Sequence, residues 1–250
     1  MQHIYAVETP AELEKYRGFV NRIQPKLTEY IRLLRETYQV LELPRAIVWT
    51  DVQTATHLIS DLPVPAYTNE YRVVMTPDVE AWRGIYLKQL ETLPESGAVE
   101  AIRAYYQTAL SENNLLQILG HELAHHSELF LDDFDSYGSG GIWFEEGMVE
   151  YISRRYFLTA EEFAAEARVN RQLVALLQGR CGGHSLEEFG AATYQGDYAG
   201  IFFEYWRSFL AVADIVERFH GSVPEVFRSY HRWNDSGRGV TLEAWFRTSR

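Results

Sequence analysis

The sequence predicts an α+β chain, with a small mixed sheet in the N-terminal third, a helix bearing a histidine pair, and a mainly helical remainder. Three observations predict it. Two short runs of β-branched and aromatic residues, Ala46–Trp49 and Tyr71–Met75, read as strands. Most of the rest repeats its apolar residues at helical spacing. Between these regions the Pro-free stretch Ser111 to Leu131 carries His121-Glu122-Leu123-Ala124-His125 on a helical pattern. At 250 residues the chain is long enough for one large domain, read as two closely packed lobes, 1–135 and 136–250. Hydrophobic residues at 46% and charged residues at 23% fit a globular protein and argue against a disordered one.

The first helix is well marked. Thr9 is its N-cap, Pro10 its first residue, and Glu12 completes a capping box. Leu13, Tyr16, Val20, Ile23, Leu27, Ile31, Leu34 and Tyr38 form its core face, and Pro25 should kink or split it. The two strand runs follow, separated by the Pro-containing stretch Leu62 to Tyr67. Tyr71–Met75 is a candidate edge strand because Pro77 lies just beyond it, though the pattern suits an internal strand equally. Trp82 to Leu93 and Ala98 to Leu110 are helical, with Pro94–Gly97 as the turn between them, and Ser111 can cap the histidine helix. Asp132 to Gly141 breaks that helix. Its aspartates lack the alternating ligand positions of a calcium loop and read as a solvated turn.

In the second half, Thr159-Ala160-Glu161-Glu162 opens a helix to about Gln178, which Gly179 can close. A flexible Gly-rich connection, Arg180 to His184, leads to a second capping signature at Ser185–Glu188. A long apolar helix runs from about Tyr198 to Phe219. Glu204, Arg207 and Asp214 interrupt it, so it reads as a core helix and no membrane span. One or two short helices close the chain, parted by the turn residues Asn234 to Gly239.

The histidine pair carries the chemistry. A helical turn is about 3.6 residues, so His121 and His125 project from one face and can share a metal ion, with Glu122 at its edge. Two neutral imidazoles are good zinc ligands, and a nearby carboxylate can take a proton from metal-activated water. A third ligand is needed. The candidates lie in Trp143-Phe144-Glu145-Glu146-Gly147-Met148-Val149-Glu150-Tyr151, where Glu145 and Glu146 point to different faces. Glu146 is favoured by its place before Gly147 and its partner Glu150 one turn on. His126 is rotated about 100° from His125 and reads as a bystander.

The third ligand separates metalloenzyme families. A metzincin would need Gly three and His six residues after the second histidine, and those positions are Glu128 and Leu131. The W-F-E-E-G-M-V-E-Y segment instead resembles the W-x-x-E-G-x-x-x-Y helix of gluzincin metallopeptidases, the group of thermolysin-like and M1-type enzymes. The resemblance has credible motifs from about Ser111 to Gly221 and implies a zincin-like fold. In it Glu146 is the zinc carboxylate, and Glu150 accepts a hydrogen bond from a zinc histidine. The family's sheet packs on the HExxH helix and binds extended substrate along an edge strand. Tyr194 is the closest match to the M1-type tyrosine that stabilises the oxyanion, with Tyr198 in reserve. The M1-type pattern has Gly three residues after that tyrosine, whereas Gly196 stands two after Tyr194. The glutamate motif with which M1 aminopeptidases hold a free amino terminus is missing upstream of His121, so aminopeptidase specificity is not implied.

The function implied is a zinc (Zn2+) peptidase acting on a peptide or protein substrate. His121, His125 and Glu146 hold the metal, and Glu122 is general base and then acid. The alternative is a catalytically silent zinc-binding module of the same fold. A net charge of −12 disfavours nucleic-acid and anionic-membrane partners. The start lacks a basic and apolar signal pattern and Cys181 is the only cysteine, which makes a cytoplasmic protein the expectation.

Overall fold

The computed structural model describes residues 1–59, 64–132 and 141–248. The turn expected over Asp132 to Gly141 lies, at 133–140, outside them, as does part of the Pro-containing stretch before Tyr67. The chain is mostly helical with one small mixed sheet, an α+β architecture. It divides into two compact units, Met1–Glu128 with Ile152–Ala160, and Leu129–Tyr151 with Glu161–Arg250.

The first unit begins with β1 (Gln2–Ala6), α1 (Pro10–Tyr38), β2 (Ala46–Thr50) and the single turn α2 (Val52–Thr54). It continues with β3 (Ala66–Thr68), β4 (Arg72–Met75), α3 (Val79–Leu90), α4 (Gly97–Thr108) and α5 (Glu112–Ala124). The sheet order is β1-β2-β4-β3. β1, β2 and β4 run parallel, with Ile4 opposite Val48 and Val48 opposite Val74, while β3 is antiparallel to β4 with Ala66 opposite Met75. Every residue of β2 is buried, as a central parallel strand requires.

Two readings of the sheet change. β1 was not expected, because its alternation is short and partly exposed. The run containing β4 is internal: Pro77 lies beyond the last paired residue and interrupts no ladder. The edge strands are β1 and β3, the latter three residues long and preceded by Pro65.

Thr9 caps α1 as expected, its hydroxyl accepting from the Glu12 amide at 3.2 Å while Glu12 Oε2 accepts from the Thr9 amide at 3.0 Å. Pro25 does not split the helix. It removes one amide donor, but Pro25 and Asn21, whose carbonyl loses its partner, both lie on the exposed face where water can serve. The buried face is Tyr16, Phe19, Val20, Ile23, Leu27, Tyr30 and Leu34.

His3 ties β1 to β2 in a pH-dependent way. Trp49, wholly buried, donates its indole N–H to His3 Nδ1 at 3.0 Å, and the rings stack with centroids 5.9 Å apart. Only a neutral imidazole can accept there. Burial holds the His3 pKa below its ordinary 6.5. The folded chain therefore binds this proton less readily than the unfolded one, and its contribution is present above that value and lost as the pH falls below it. Between about pH 7.5 and about pH 5.5 the wild-type melting temperature should drop more than that of His3→Gln; equal drops would refute the coupling.

The second unit holds most of α6 (Ile142–Phe157) and of α7 (Ala160–Cys181), then α8 (Tyr198–Arg218), α9 (Val223–Asp235) and α10 (Leu242–Thr248). Its core gathers aromatic rings on Phe144, which lies 4.5 Å from Tyr230 and 5.3 Å from Phe246 between centroids. The connection read as flexible is anchored. Glu204, almost fully buried on α8, pairs with His184 at 2.8 Å and Arg207 at 2.7 Å. Arg207 also donates to the carbonyls of His184 and Ser185. A buried charge has to be paired: Arg207, on the same helix, supplies the cation, and His184 ties the end of the connection to the same carboxylate. Among the described residues no helix is long and apolar enough to cross a membrane.

Candidate metal centre

The site is built on α5. Ser111 caps it through the Asn113 amide at 3.2 Å, and Asn114 Oδ1 accepts from the Ser111 amide at 2.9 Å, so a capping box forms with Asn in place of Glu. From Asn114 to Ala124 the only residue not buried is Ile118. Leu115, Leu116, Leu119 and Leu123 fix the helix in the core, and the same burial encloses His121 and Glu122, 5% and 7% exposed. Tyr30 of α1 donates to the Gly120 carbonyl at 3.0 Å, one residue before His121. A Cβ at position 120 would press on the Phe157 and Tyr30 rings, so glycine allows this approach.

The helix ends earlier than its pattern suggests. His125 is its C-cap, and the apolar residues to Leu131 lie beyond it. His121 Nε2 and His125 Nε2 are 3.1 Å apart. Two imidazole nitrogens at that distance either share one proton or face a common cation. It is close to the ~3.3 Å expected between two ligands of a tetrahedral ion with bonds of about 2.0 Å. Glu146 completes a set: one ligand atom from each of His121, His125 and Glu146 lies within 4.8 Å of the others. Two imidazoles and a carboxylate are a donor set that suits zinc.

Glu146 is buried on α6, one turn before the buried Glu150. Its Oε1 accepts hydrogen bonds from Tyr194 at 3.1 Å and Tyr205 at 3.2 Å, and the two hydroxyls are 2.9 Å apart. A carboxylate has two oxygens, so phenols on Oε1 are compatible with a metal on Oε2. Gly147 explains how α6 reaches this position. A Cβ there would meet the backbone of Ser208 on α8, with the carbonyl carbon at 2.7 Å and Val212 Cγ2 also at 2.7 Å. Only glycine permits that closeness of two helices.

No family model, curated protein or solved structure matches the chain.

Of the residues singled out in the sequence, the fold brings His121, His125 and Glu146 together and sets Tyr194 on the third. Glu122 and Glu150 are buried on the same helices as these three residues. The alternatives make other contacts. Glu145 bears on Tyr230, whose phenol burial and the nearby carboxylates push up. Tyr198 stacks on Phe202 at 5.8 Å between centroids. His126 bonds through Nε2 to Thr68 of β3 at 2.8 Å, and burial lowers its pKa to about 4. It is a neutral tether between the edge strand and the residues just beyond α5. Tyr205 was not foreseen. In the sequence it is one more aromatic in an apolar helix, and nothing in its spacing separates it from core residues.

Proposed function

We propose that the chain is a zinc-dependent peptidase of gluzincin type. The observation that carries the reading is the His121–His125 nitrogen pair at 3.1 Å with a Glu146 ligand atom within 4.8 Å. His121, His125 and Glu146 would hold the ion. When bound, zinc would supply a Lewis acid and bring the pKa of a water molecule to around 7. Glu122, next to His121 on α5, accepts the proton of the attacking water and passes it to the departing amine. Glu150 would orient a histidine that holds the ion through its other ring nitrogen, and Tyr194 would donate a hydrogen bond from its phenol to the oxyanion. The substrate is a peptide or protein chain. A reducing compartment such as the cytoplasm fits the single cysteine, Cys181.

The test is zinc content and peptide cleavage measured on the same preparations. Wild type is expected to carry close to one zinc per chain, and His121→Ala and Glu146→Ala little. Zinc retained by the Glu146 variant would remove Glu146 from the ligand set. A zinc-loaded wild type that cleaves no member of a broad peptide library would leave the metal site and refute the peptidase.

A further inference from the structure

We infer that Tyr205 is a positioning residue for the metal carboxylate: it holds Glu146 through Oε1, so that Tyr194 can turn its O–H to the substrate while Oε1 keeps a phenolic donor. The inference rests on the zinc reading above and divides the work of two phenols that meet at one oxygen.

The division follows from a proton count. Three oxygens form a triangle with edges of 2.9 Å between the phenols, 3.1 Å from Tyr194 to Glu146, and 3.2 Å from Tyr205 to Glu146. An ionised carboxylate brings no proton and each phenol brings one, so two protons serve three edges. One edge is always without a proton. The triangle therefore has interchangeable arrangements, and Tyr194 can turn its O–H outward while Tyr205 continues to donate to Oε1.

The backbone decides which phenol is the holder. Tyr205 stands in the long helix α8, one turn before Ser208. Ser208 is where α8 meets Gly147 of α6, and Glu146 is the residue beside that glycine. This contact of the two helices sets Tyr205 beside Glu146. Tyr194 instead comes from the short turn Thr193–Gln195 in the connection before α8. Both rings pack on the buried Phe189, with centroids 5.7 Å from Tyr205 and 6.1 Å from Tyr194. That contact serves the rings and not the hydroxyls. Partners of metal ligands fix ligand orientation, and losing one weakens metal binding by roughly 10- to 100-fold.

The experiment titrates the metal-free chain with Zn2+ against a chromophoric chelator and records the visible spectrum with Co2+, using wild type, Tyr205→Phe, Tyr205→His and Tyr194→Phe. Tyr205→Phe should lose about tenfold or more in zinc affinity and shift the cobalt bands, while the metal-free chain still melts in a cooperative transition. Tyr194→Phe should lose less than about threefold, since Tyr205 still donates to Glu146. Tyr205→His, which keeps a donor, should bind more tightly than Tyr205→Phe. Zinc affinity of Tyr205→Phe within about twofold of wild type would overturn the inference, as would equal losses in the Tyr194 and Tyr205 variants. Should Tyr205→Phe prove too unstable to titrate, Tyr205→His binding zinc no better than Tyr205→Leu would overturn it. A folded wild type that takes up no zinc overturns the zinc reading itself, and this inference with it.

Discussion

Glu122→Gln is expected to keep its zinc and lose about 10³-fold in peptide cleavage, the middle of the range for removing a general base. Gln has the shape of Glu and takes the same place on α5, so the packing of Leu115, Leu119 and Leu123 around the histidines is undisturbed. What it lacks is an oxygen that can take a proton. Glu122 is buried, which limits the access of bulk water that could replace it as a base. The measurement is kcat on a peptide library with zinc content from the same sample. A wild-type rate in a zinc-loaded Glu122→Gln chain would sink the mechanism. Zinc lost together with rate would instead assign Glu122 to metal binding.

The pairing of retained metal with lost turnover matters because the residues around the histidines do two kinds of work. The Tyr30 and Phe157 rings bear on Gly120, and the Ser208 backbone bears on Gly147, so the backbone beside His121 and beside Glu146 is closely packed. Side chains then adjust what the backbone has placed, as the phenols do on Glu146 Oε1. A substitution at Glu122 touches only the second kind.

This separation also explains what the sequence could tell. The His121–His125 pair was legible because spacing on a helix is a local property: residues four apart share a face whatever the helix packs on, while Glu146 was picked out by the likeness of its W-F-E-E-G segment and by Glu150 one turn on. Helix starts were legible for the same reason, at Thr9 and Ser111, where a side chain caps the amide of a residue within the first turn. The edge of the sheet was not, because pairing depends on distant strands. The run at Tyr71–Met75 looks alike whether one neighbour or two flank it, and the chain folds β3 back beside it. Tyr205 was hidden likewise, since its hydrogen bond to Glu146 joins α8 to α6 and no local spacing records that meeting. The anchoring of Arg180–His184 by Glu204 and Arg207 is long-range too, and glycines in a loop read as freedom until the partner is known. Gly147 stands between the two cases. It is visible as a residue of the W-F-E-E-G segment, but its reason lies on another helix.

That reason gives the largest expected effect on stability. Gly147→Ala should cost on the order of 3 kcal/mol, the upper end for overpacking, because the added carbon meets the Ser208 backbone. A side chain in the way could change rotamer. A carbonyl in the middle of α8 can move only with its helix, and the rings that Phe209 and Phe203 bury beside it resist that movement. For a chain of this size such a loss should lower the melting temperature by roughly 10 °C. Zinc affinity should fall as well, because the helix displacement that relieves the clash carries Glu146 away from Tyr205. Calorimetry on the metal-free variant reads the first effect and chelator competition the second. Alanine accepted with an unchanged melting temperature would show that α6 and α8 do not meet at Gly147. Alanine that destabilises the chain but leaves zinc affinity at the wild-type value would separate the helix contact from the placement of the third ligand.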